Sequence, residues 1–246
     1  MIKDLDGRLE AVLSFVNASD KVADIGADHG YLSKAILDKG SPLVQVVENK
    51  KSPLNNAVRN LKDYDNVLFS LSDGIKDVNP DIIDTIVIAG MGGLNIVKIL
   101  NDEINKAKRI RKFILQPNSK VYELRLFLNQ HNFEIVDEQI VSVNNHFYNI
   151  LVCKPVESCK TLTDDELLFG PILLKRQDNL FKYKYQMELN ELNDILKNKD
   201  AFNDSTSYES LNKKRERILR CVNLDWGCID EDKRNIWLYY RFISII

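Results

Sequence analysis

Apolar segments of strand length alternate with helix-like segments through the first half of this chain. The apolar runs are Lys21 to Ile25, Leu43 to Val47, Val67 to Leu71, Ile82 to Ala89 and Lys112 to Leu115. The helix-like stretches are Ile2 to Asn17, Tyr31 to Lys39, Ser52 to Lys62, Leu94 to Ala107 and Val121 to His131. Because parallel strands are joined by crossover helices, this order predicts a parallel sheet that helices cover on both faces.

Two further apolar runs, Phe133 to Val143 and His146 to Val152, are separated only by Asn144-Asn145. No crossover helix fits into so short a connection, so these strands should pair antiparallel at one edge of the sheet. Parallel strands followed by such a hairpin resemble the sheet of Rossmann-like methyltransferases. We therefore predict an α/β fold in which residues 1–155 form a Rossmann-like domain.

The alternation stops after residue 155, and apolar residues then recur at helical spacing. Leu173 to Lys197 and Tyr208 to Val222 both show this spacing, on either side of a polar break. We predict that residues 156–246 form a helical, coiled-coil-like domain built on an antiparallel helix pair. The alternative is one helix that packs on the sheet, and the segment from Asn223 to Ile246 receives no interpretation.

The turn after the first strand combines glycines with carboxylates. Gly26 and Gly30 flank Asp28, whereas a turn that binds a pyrophosphate has its glycines at the first, third and sixth positions and keeps negative charge away from the phosphates. A carboxylate is instead attracted to the ammonium or sulfonium group of S-adenosylmethionine. We therefore favour this methyl donor over NAD. The alternative role of Asp28 is to cap a helix that begins at His29.

Three more turns at the predicted carboxyl edge of the sheet carry polar or bare residues, and ligands of open α/β sheets bind at this edge. They are Ser72-Asp73-Gly74, Ala89 to Gly93 and Gln116-Pro117-Asn118. Glu48 ends the second strand about twenty residues after the glycine turn, where nucleotide-binding folds place the ribose acceptor. Each of the three turns also has a local interpretation, as an Asx turn, a tight strand-to-helix turn and a helix cap respectively.

Composition and charge limit the classes of protein to which this chain can belong. No apolar stretch approaches the length of a membrane span, and the N-terminus lacks the pattern of a secretion signal, so we expect a cytoplasmic monomer without membrane contact. The net charge of −2 means that nucleic-acid binding would need a local basic patch. The cysteines lack metal-binding spacing, so we expect free thiols and no metal site at Cys153, Cys159, Cys221 and Cys228.

Taken together, these motifs resemble the bacterial N1-methyltransferases that act on adenine 22 of tRNA. The resemblance rests on Arg8-Leu9, Ala23 to Leu32, Ile88 to Gly93 and Leu115 to Asn118. It extends from about Leu5 to Val152, with Gly30 as a mild departure, because the family often has a small residue such as Ala there. The resemblance implies an enzyme that uses S-adenosylmethionine, with a Rossmann-like catalytic domain and a helical domain that helps to hold tRNA.

The resemblance also implies roles for individual residues around the methyl donor. Gly26 and Asp28 would contact its methionine part, Glu48 its ribose, and Asp73 with Gly74 its adenine, while Arg8 would face its carboxylate. The complete set of predicted cofactor-binding residues is Arg8, Asp24, Gly26, Asp28, Glu48, Asn49, Asp73, Gly74, Ala89 and Gly90.

His29, Met91 and Asn118 are predicted to surround the target base, with Pro117 beside them. N1 of neutral adenine carries a free lone pair, so catalysis can rest mostly on placement of the reacting atoms. N1 lies on the Watson–Crick edge, and the base therefore has to leave its stack. Asn118 is expected to bond the adenine edge, and His29 to stack on the base or to move a proton.

Two basic clusters in the C-terminal part are predicted to contact tRNA phosphates, Lys175-Arg176 and Lys213-Lys214-Arg215. The alternative is that they are the solvated faces of helices. Two other functions stay open at this point. One is a small-molecule methyltransferase with a helical lid, and the other is a non-catalytic RNA-binding module on a decayed nucleotide fold.

Overall fold

A seven-stranded sheet forms the centre of the computed structural model, which describes residues 5–197 and 205–223. The strands are β1 Lys21–Ile25, β2 Leu43–Glu48, β3 Val67–Leu71, β4 Thr85–Gly92, β5 Lys112–Ser119, β6 Phe133–Val143 and β7 His146–Pro155. Their order is β3-β2-β1-β4-β5-β7-β6. Strands β1 to β5 pair in parallel, and β7 is antiparallel to both β5 and β6. The predicted parallel sheet with an antiparallel edge hairpin is confirmed.

Local sequence explains the hairpin at the sheet edge. Asn144 and Asn145 have φ values of 50° and 63°, and Val143 pairs with His146 across them. Asparagine tolerates the left-handed region better than most residues, and a two-residue turn in this conformation matches the twist of the flanking strands.

The helices are α1 Gly7–Ser14, α2 Tyr31–Asp38, α3 Lys51–Asn60, α4 Gly93–Asp102, α5 Ile104–Ala107, α6 Val121–Gln130, α7 Asp164–Phe169, α8 Pro171–Arg176, α9 Asn179–Leu196 and α10 Ser205–Cys221. Two stretches that the sequence pattern predicts as continuous helices are each divided into two helices. The stretch from Leu94 to Ala107 breaks at Glu103, whose backbone leaves the helical region. The stretch from Leu173 to Lys197 breaks at Gln177, where φ is 43°; the Asp178 carboxylate then accepts the Phe181 N–H and starts α9.

Alternation along the strands places apolar side chains on both faces of the sheet. In β4, Ile86 and Ile88 pack in the cluster that contains Ile96 and Leu124, whereas Val87 packs on the other face, in the cluster that contains Val12 and Ile36. Period-two alternation with apolar residues at every position is what a sheet covered on both sides requires. Both faces of the sheet are therefore covered, and a ligand is expected to bind at the carboxyl ends of the strands.

The chain divides into two compact units, one that ends at Phe181 and one that begins at Lys182. The sequence pattern assigned residues 156–181 to the helical domain, but they belong to the unit that holds the sheet. A buried ion pair accounts for this, since Arg125 Nε lies 2.8 Å from Glu138 Oε1 and Arg125 Nη1 donates to the carbonyls of Leu167 and Leu168.

The second unit contains most of α9 and α10. Arg215 Nε donates to Asn193 Oδ1 at 2.7 Å, which joins the two helices. Residues 224–246, which make up nearly all of the uninterpreted closing segment, lie outside the described residues, as does Cys228. Among the helices that the structure describes, none combines the length and the apolar character needed to cross a membrane.

Candidate active site at the carboxyl edge of the sheet

The glycine turn after β1 is bonded to the end of β2. The Gly26 N–H donates to the Val47 carbonyl at 2.8 Å, and the Asp28 N–H donates to Glu48 Oε1 at 2.5 Å. Gly26 and Asp28 have φ values of 73° and 50°, and α2 begins only at Tyr31, after Gly30. The alternative in which Asp28 caps a helix at His29 is therefore wrong, because the helix starts later and has no side-chain cap.

Two carboxylates lie buried at this point, Asp24 with 2% and Glu48 with 7% of its surface exposed. The Ser33 hydroxyl donates to Asp24 Oδ2 at 2.5 Å. Burial raises the pKa of Asp24 to about 6; the Ser33 hydrogen bond opposes this rise, and the Glu48 charge adds to it. No basic side chain of the described residues pairs with either carboxylate. The pair therefore suits a ligand that brings hydroxyl groups or positive charge.

The segment after β3 contributes a second set of polar atoms. The Ser72 N–H donates to the Glu48 carbonyl at 2.8 Å, while Ser72 Oγ is buried and has no hydrogen-bond partner among the described residues. Asp73 is exposed next to it, and Gly74, with φ of 59°, packs against Ile99 of α4. Asn49, also predicted for the cofactor, follows β2 and is exposed. Ser72 is not among the residues that the sequence predicts for the cofactor, although its place directly after a strand is the signal that could have indicated it.

The glycine-rich segment after the fourth apolar run is the end of β4 itself. Ala89 pairs with Gln116 and Met91 pairs with Pro117, with register shifts on both sides of Met91. Gly90 adopts φ of 80° inside this bulge. The alternative interpretation of this segment, a tight strand-to-helix turn with glycines for clearance, holds only at its end. The bulge carries β4 on to Gly92, α4 begins at Gly93, and a Cβ at Gly93 would meet the Lys120 carbonyl oxygen at 2.5 Å.

Met91 and Pro117 lie at the junction of β4, β5 and the glycine turn. Pro117 is buried, and Met91 is half-buried with its Cε methyl where a Cβ at Gly26 would have to stand. The structure therefore brings Gly26 and Met91 into one packed contact across two strands. Glycine is required at position 26 for its backbone angle and for this close approach.

A closed ring of hydrogen bonds joins the ends of β4 and β5. The Gly90 N–H donates to Gln116 Oε1 at 3.0 Å, Gln116 Nε2 donates to Asn118 Oδ1 at 3.1 Å, and Asn118 Nδ2 donates back to the Gly90 carbonyl at 2.8 Å. Arg8 Nη1 also donates to Gln116 Oε1, at 2.5 Å. Gln116 is fully buried and Asn118 is exposed. Because α6 starts after Lys120 without a side-chain cap, the helix-cap alternative for this segment is wrong.

His29 lies on the glycine turn with its side chain about half exposed. Its ring centroid is 5.6 Å from that of Tyr31, and its Nε2 is 3.7 Å from Asp28 Oδ2. The Asn60 side chain donates to the His29 carbonyl at 2.9 Å and fixes the backbone there. The imidazole is thus available to a ligand rather than held in the core.

Comparison with known proteins shows which family the chain belongs to. The family model of the tRNA (adenine(22)-N(1))-methyltransferases, TrmK, matches residues 22–220. The chain belongs to this family.

Relatives and solved structures agree with this membership. A Mycoplasma pneumoniae relative is 34% identical over 192 residues, which is 76% of this chain and 85% of the relative. The Bacillus subtilis tRNA (adenine(22)-N(1))-methyltransferase is 28% identical over 199 residues, 78% of this chain and 84% of that protein. A Streptococcus pneumoniae structure in complex with S-adenosyl-L-methionine is 30% identical, with a TM-score of 0.78, and the match covers 90% of this chain and 100% of that one.

The basic residues that were predicted for tRNA in this TrmK family member differ in their surroundings. Arg176 donates to the Glu138 carbonyl at 2.9 Å and to Asp137 at 2.5 Å, so it is tied to β6. Lys214 pairs with Glu188, and Arg215 is bonded to Asn193. Two other lysines are exposed and have no side-chain partner within the described ranges, Lys175 and Lys213.

Proposed function

We propose that this chain transfers a methyl group from S-adenosylmethionine to N1 of adenine 22 of tRNA, with the donor on the glycine turn and the target base beside Met91 and Asn118. Membership of the TrmK family supports the reaction. The observation that carries the site is the pair of buried carboxylates, Asp24 and Glu48, without a basic partner in the described chain.

The residues around the glycine turn fit this donor. Glu48 accepts the Asp28 N–H with one oxygen, and its other oxygen, like the buried Ser72 Oγ, has no partner among the described residues and can bond to ribose hydroxyls. Two neighbouring carboxylates would repel a pyrophosphate, whereas they attract a ligand that carries an ammonium and a sulfonium group. When bound, S-adenosylmethionine supplies an electrophilic methyl group on a positively charged sulfur.

Asn118 has the hydrogen-bonding capacity to hold the adenine edge. Its amide retains one N–H and one oxygen lone pair after the bonds to Gly90 and Gln116 are counted. The N6 amino group of adenine is a donor, so Asn118 Oδ1 can accept from it and leave the N1 lone pair free to attack. Holding nucleophile and methyl group in line is worth up to about 7–11 kcal/mol in well-oriented systems.

tRNA recognition would rest on phosphate contacts from the exposed lysines. Lys175 and Lys213 are the members of the two basic clusters whose ammonium groups have no partner in residues 5–197 and 205–223. A folded RNA is recognised largely through its backbone and its shape, which suits scattered lysines. The family match favours tRNA over a small-molecule substrate, and the buried carboxylates argue against an RNA-binding module without a donor site. The monomeric state stays a prediction.

Incubation with labelled donor and unmodified tRNA, followed by mapping of the methylated nucleoside, tests the proposal. We expect N1-methyladenosine at position 22, and no label in the same tRNA with guanine at that position. Label on another base or ring atom would overturn the substrate assignment. Calorimetry with S-adenosylmethionine and with NAD tests the donor separately, and binding of NAD alone would contradict the assignment of the turn.

A further inference from the structure

The ring through Gly90, Gln116 and Asn118 has only one consistent arrangement of its amides. The Gly90 N–H and the Arg8 guanidinium can only donate, so the Gln116 group that faces them is Oε1. Gln116 Nε2 therefore faces Asn118, and because it can only donate, the Asn118 atom that accepts from it is Oδ1. Asn118 Nδ2 then meets the Gly90 carbonyl, which can only accept. Flipping either amide would set donor against donor or acceptor against acceptor.

We infer that Gln116 is a positioning residue for methyl transfer, because it fixes which way the Asn118 amide faces the target base. This inference rests on the placement of Asn118 in the proposed function. Gln116 itself is fully buried beneath the exposed Asn118, so it acts through its neighbour. Its Oε1 uses both lone pairs and its Nε2 provides the one hydrogen that Asn118 Oδ1 needs.

Among the natural side chains, the chemistry at position 116 calls for an amide. Glutamate has the same shape and would keep both acceptor contacts, with Gly90 and with Arg8, but it would offer no hydrogen to Asn118. Methionine has a similar volume and would remove all of the strong contacts. If Gln116 only held β4 and β5 together, loss of its N–H donor alone would leave methyl transfer intact. If Gln116 orients Asn118, the same loss would slow methyl transfer.

A double-mutant cycle tests the inference. The variants are Gln116→Glu, Asn118→Ala and the two combined, and kcat, KM for tRNA and Kd for S-adenosylmethionine are measured for each. We expect Gln116→Glu to lower kcat about tenfold to a hundredfold, as small misplacements of reacting groups do. Donor Kd should change less than about threefold. In the Asn118→Ala background the same substitution should lower kcat by less than about threefold, because the group it orients is gone.

Gln45→Glu is the matched control for burying a carboxylate in this sheet. Gln45 is 5% exposed in β2, and its Nε2 donates to Ser70 Oγ at 2.8 Å, away from the ring. We expect this variant to lose stability and to keep the kcat of its folded fraction. An equal fall of kcat in Gln45→Glu would overturn the inference, since burial of charge alone would then explain the loss.

The other outcomes separate this inference from the proposed function. Losses that multiply in full in the combined variant, or a donor Kd that weakens as much as kcat falls, would overturn the role of Gln116 and leave Asn118 in place. An unchanged kcat in Asn118→Ala alone would overturn both the placement of Asn118 and the role of Gln116. If Gln116→Glu does not fold, Gln116→Met carries the cycle, and its fall in kcat should again shrink to less than about threefold in the Asn118→Ala background.

Discussion

The Glu48 carboxylate accepts the backbone N–H of Asp28, so one side chain ties the end of β2 to the glycine turn after β1. Glu48 is nearly buried, and its second oxygen points to no partner among the described residues. The same group thus shapes the turn and offers an acceptor to whatever lies on it.

Replacing Glu48 by Gln should separate these two tasks. Gln keeps an oxygen for the Asp28 N–H but loses the charge, so we expect the fold to persist and donor affinity to fall about tenfold to a hundredfold, in line with about 1.5–3 kcal/mol for a hydrogen bond to a charged group. Calorimetry with S-adenosylmethionine measures this. Glu134→Gln, in an exposed pair with Lys154, is the control and should bind normally. Unchanged affinity in Glu48→Gln would remove Glu48 from the donor site.

Asp24→Asn should weaken donor binding and increase the stability of the donor-free protein at neutral pH. The folded-state pKa of Asp24 is raised to about 6 from an ordinary 3.8, mainly by burial, so the native state holds a proton that the unfolded state has already released. Stability is therefore lost as pH rises from about 4 to about 6, and by neutral pH the loss is about 3 kcal/mol. Asn removes this slope.

Urea unfolding of the donor-free protein at several pH values checks the Asp24 prediction. We expect Asp24→Asn to be more stable than the natural chain at pH 7, with the difference shrinking toward pH 4, and to bind the donor more weakly. Equal stability curves from pH 4 to pH 7 would contradict the prediction, because they would show that burial of the Asp24 carboxylate does not destabilise the folded chain.

Gly26→Ala should damage the turn for two reasons that can be separated. A Cβ there would overlap the Met91 methyl, and φ of 73° is strained for alanine. We expect a loss of about 1–3 kcal/mol in unfolding free energy, with weaker donor binding. Shortening Met91 to Ala in the same chain relieves the overlap and should restore part of the stability. Gly7→Ala, whose Cβ would meet Val143 at an ordinary 3.5 Å, serves as control and should be neutral or slightly stabilising.

Periodicity and turn chemistry sufficed to predict the sheet, because strand runs, crossover lengths and the Asn144-Asn145 hairpin are local signals. The position of Glu48 at a strand end was predictable for the same reason. The role of Gln116 was not, because it depends on partners 26 and 108 residues away, Gly90 and Arg8. A sequence pattern also gives no means of telling Lys213 from Lys214, since only the tertiary pairing with Glu188 separates them.

That difference between neighbouring lysines yields a prediction about tRNA binding. Lys213 is exposed without a partner in the described chain, whereas Lys214 is paired with Glu188. If Lys213 neutralises a phosphate, Lys213→Ala should weaken tRNA binding a few-fold and reduce the slope of log K against log salt by about 1. Lys214→Ala should change the slope much less, because its charge is already balanced by a carboxylate. Binding measured at several salt concentrations decides the matter, and equal slopes for the natural chain and Lys213→Ala would place the tRNA on another surface.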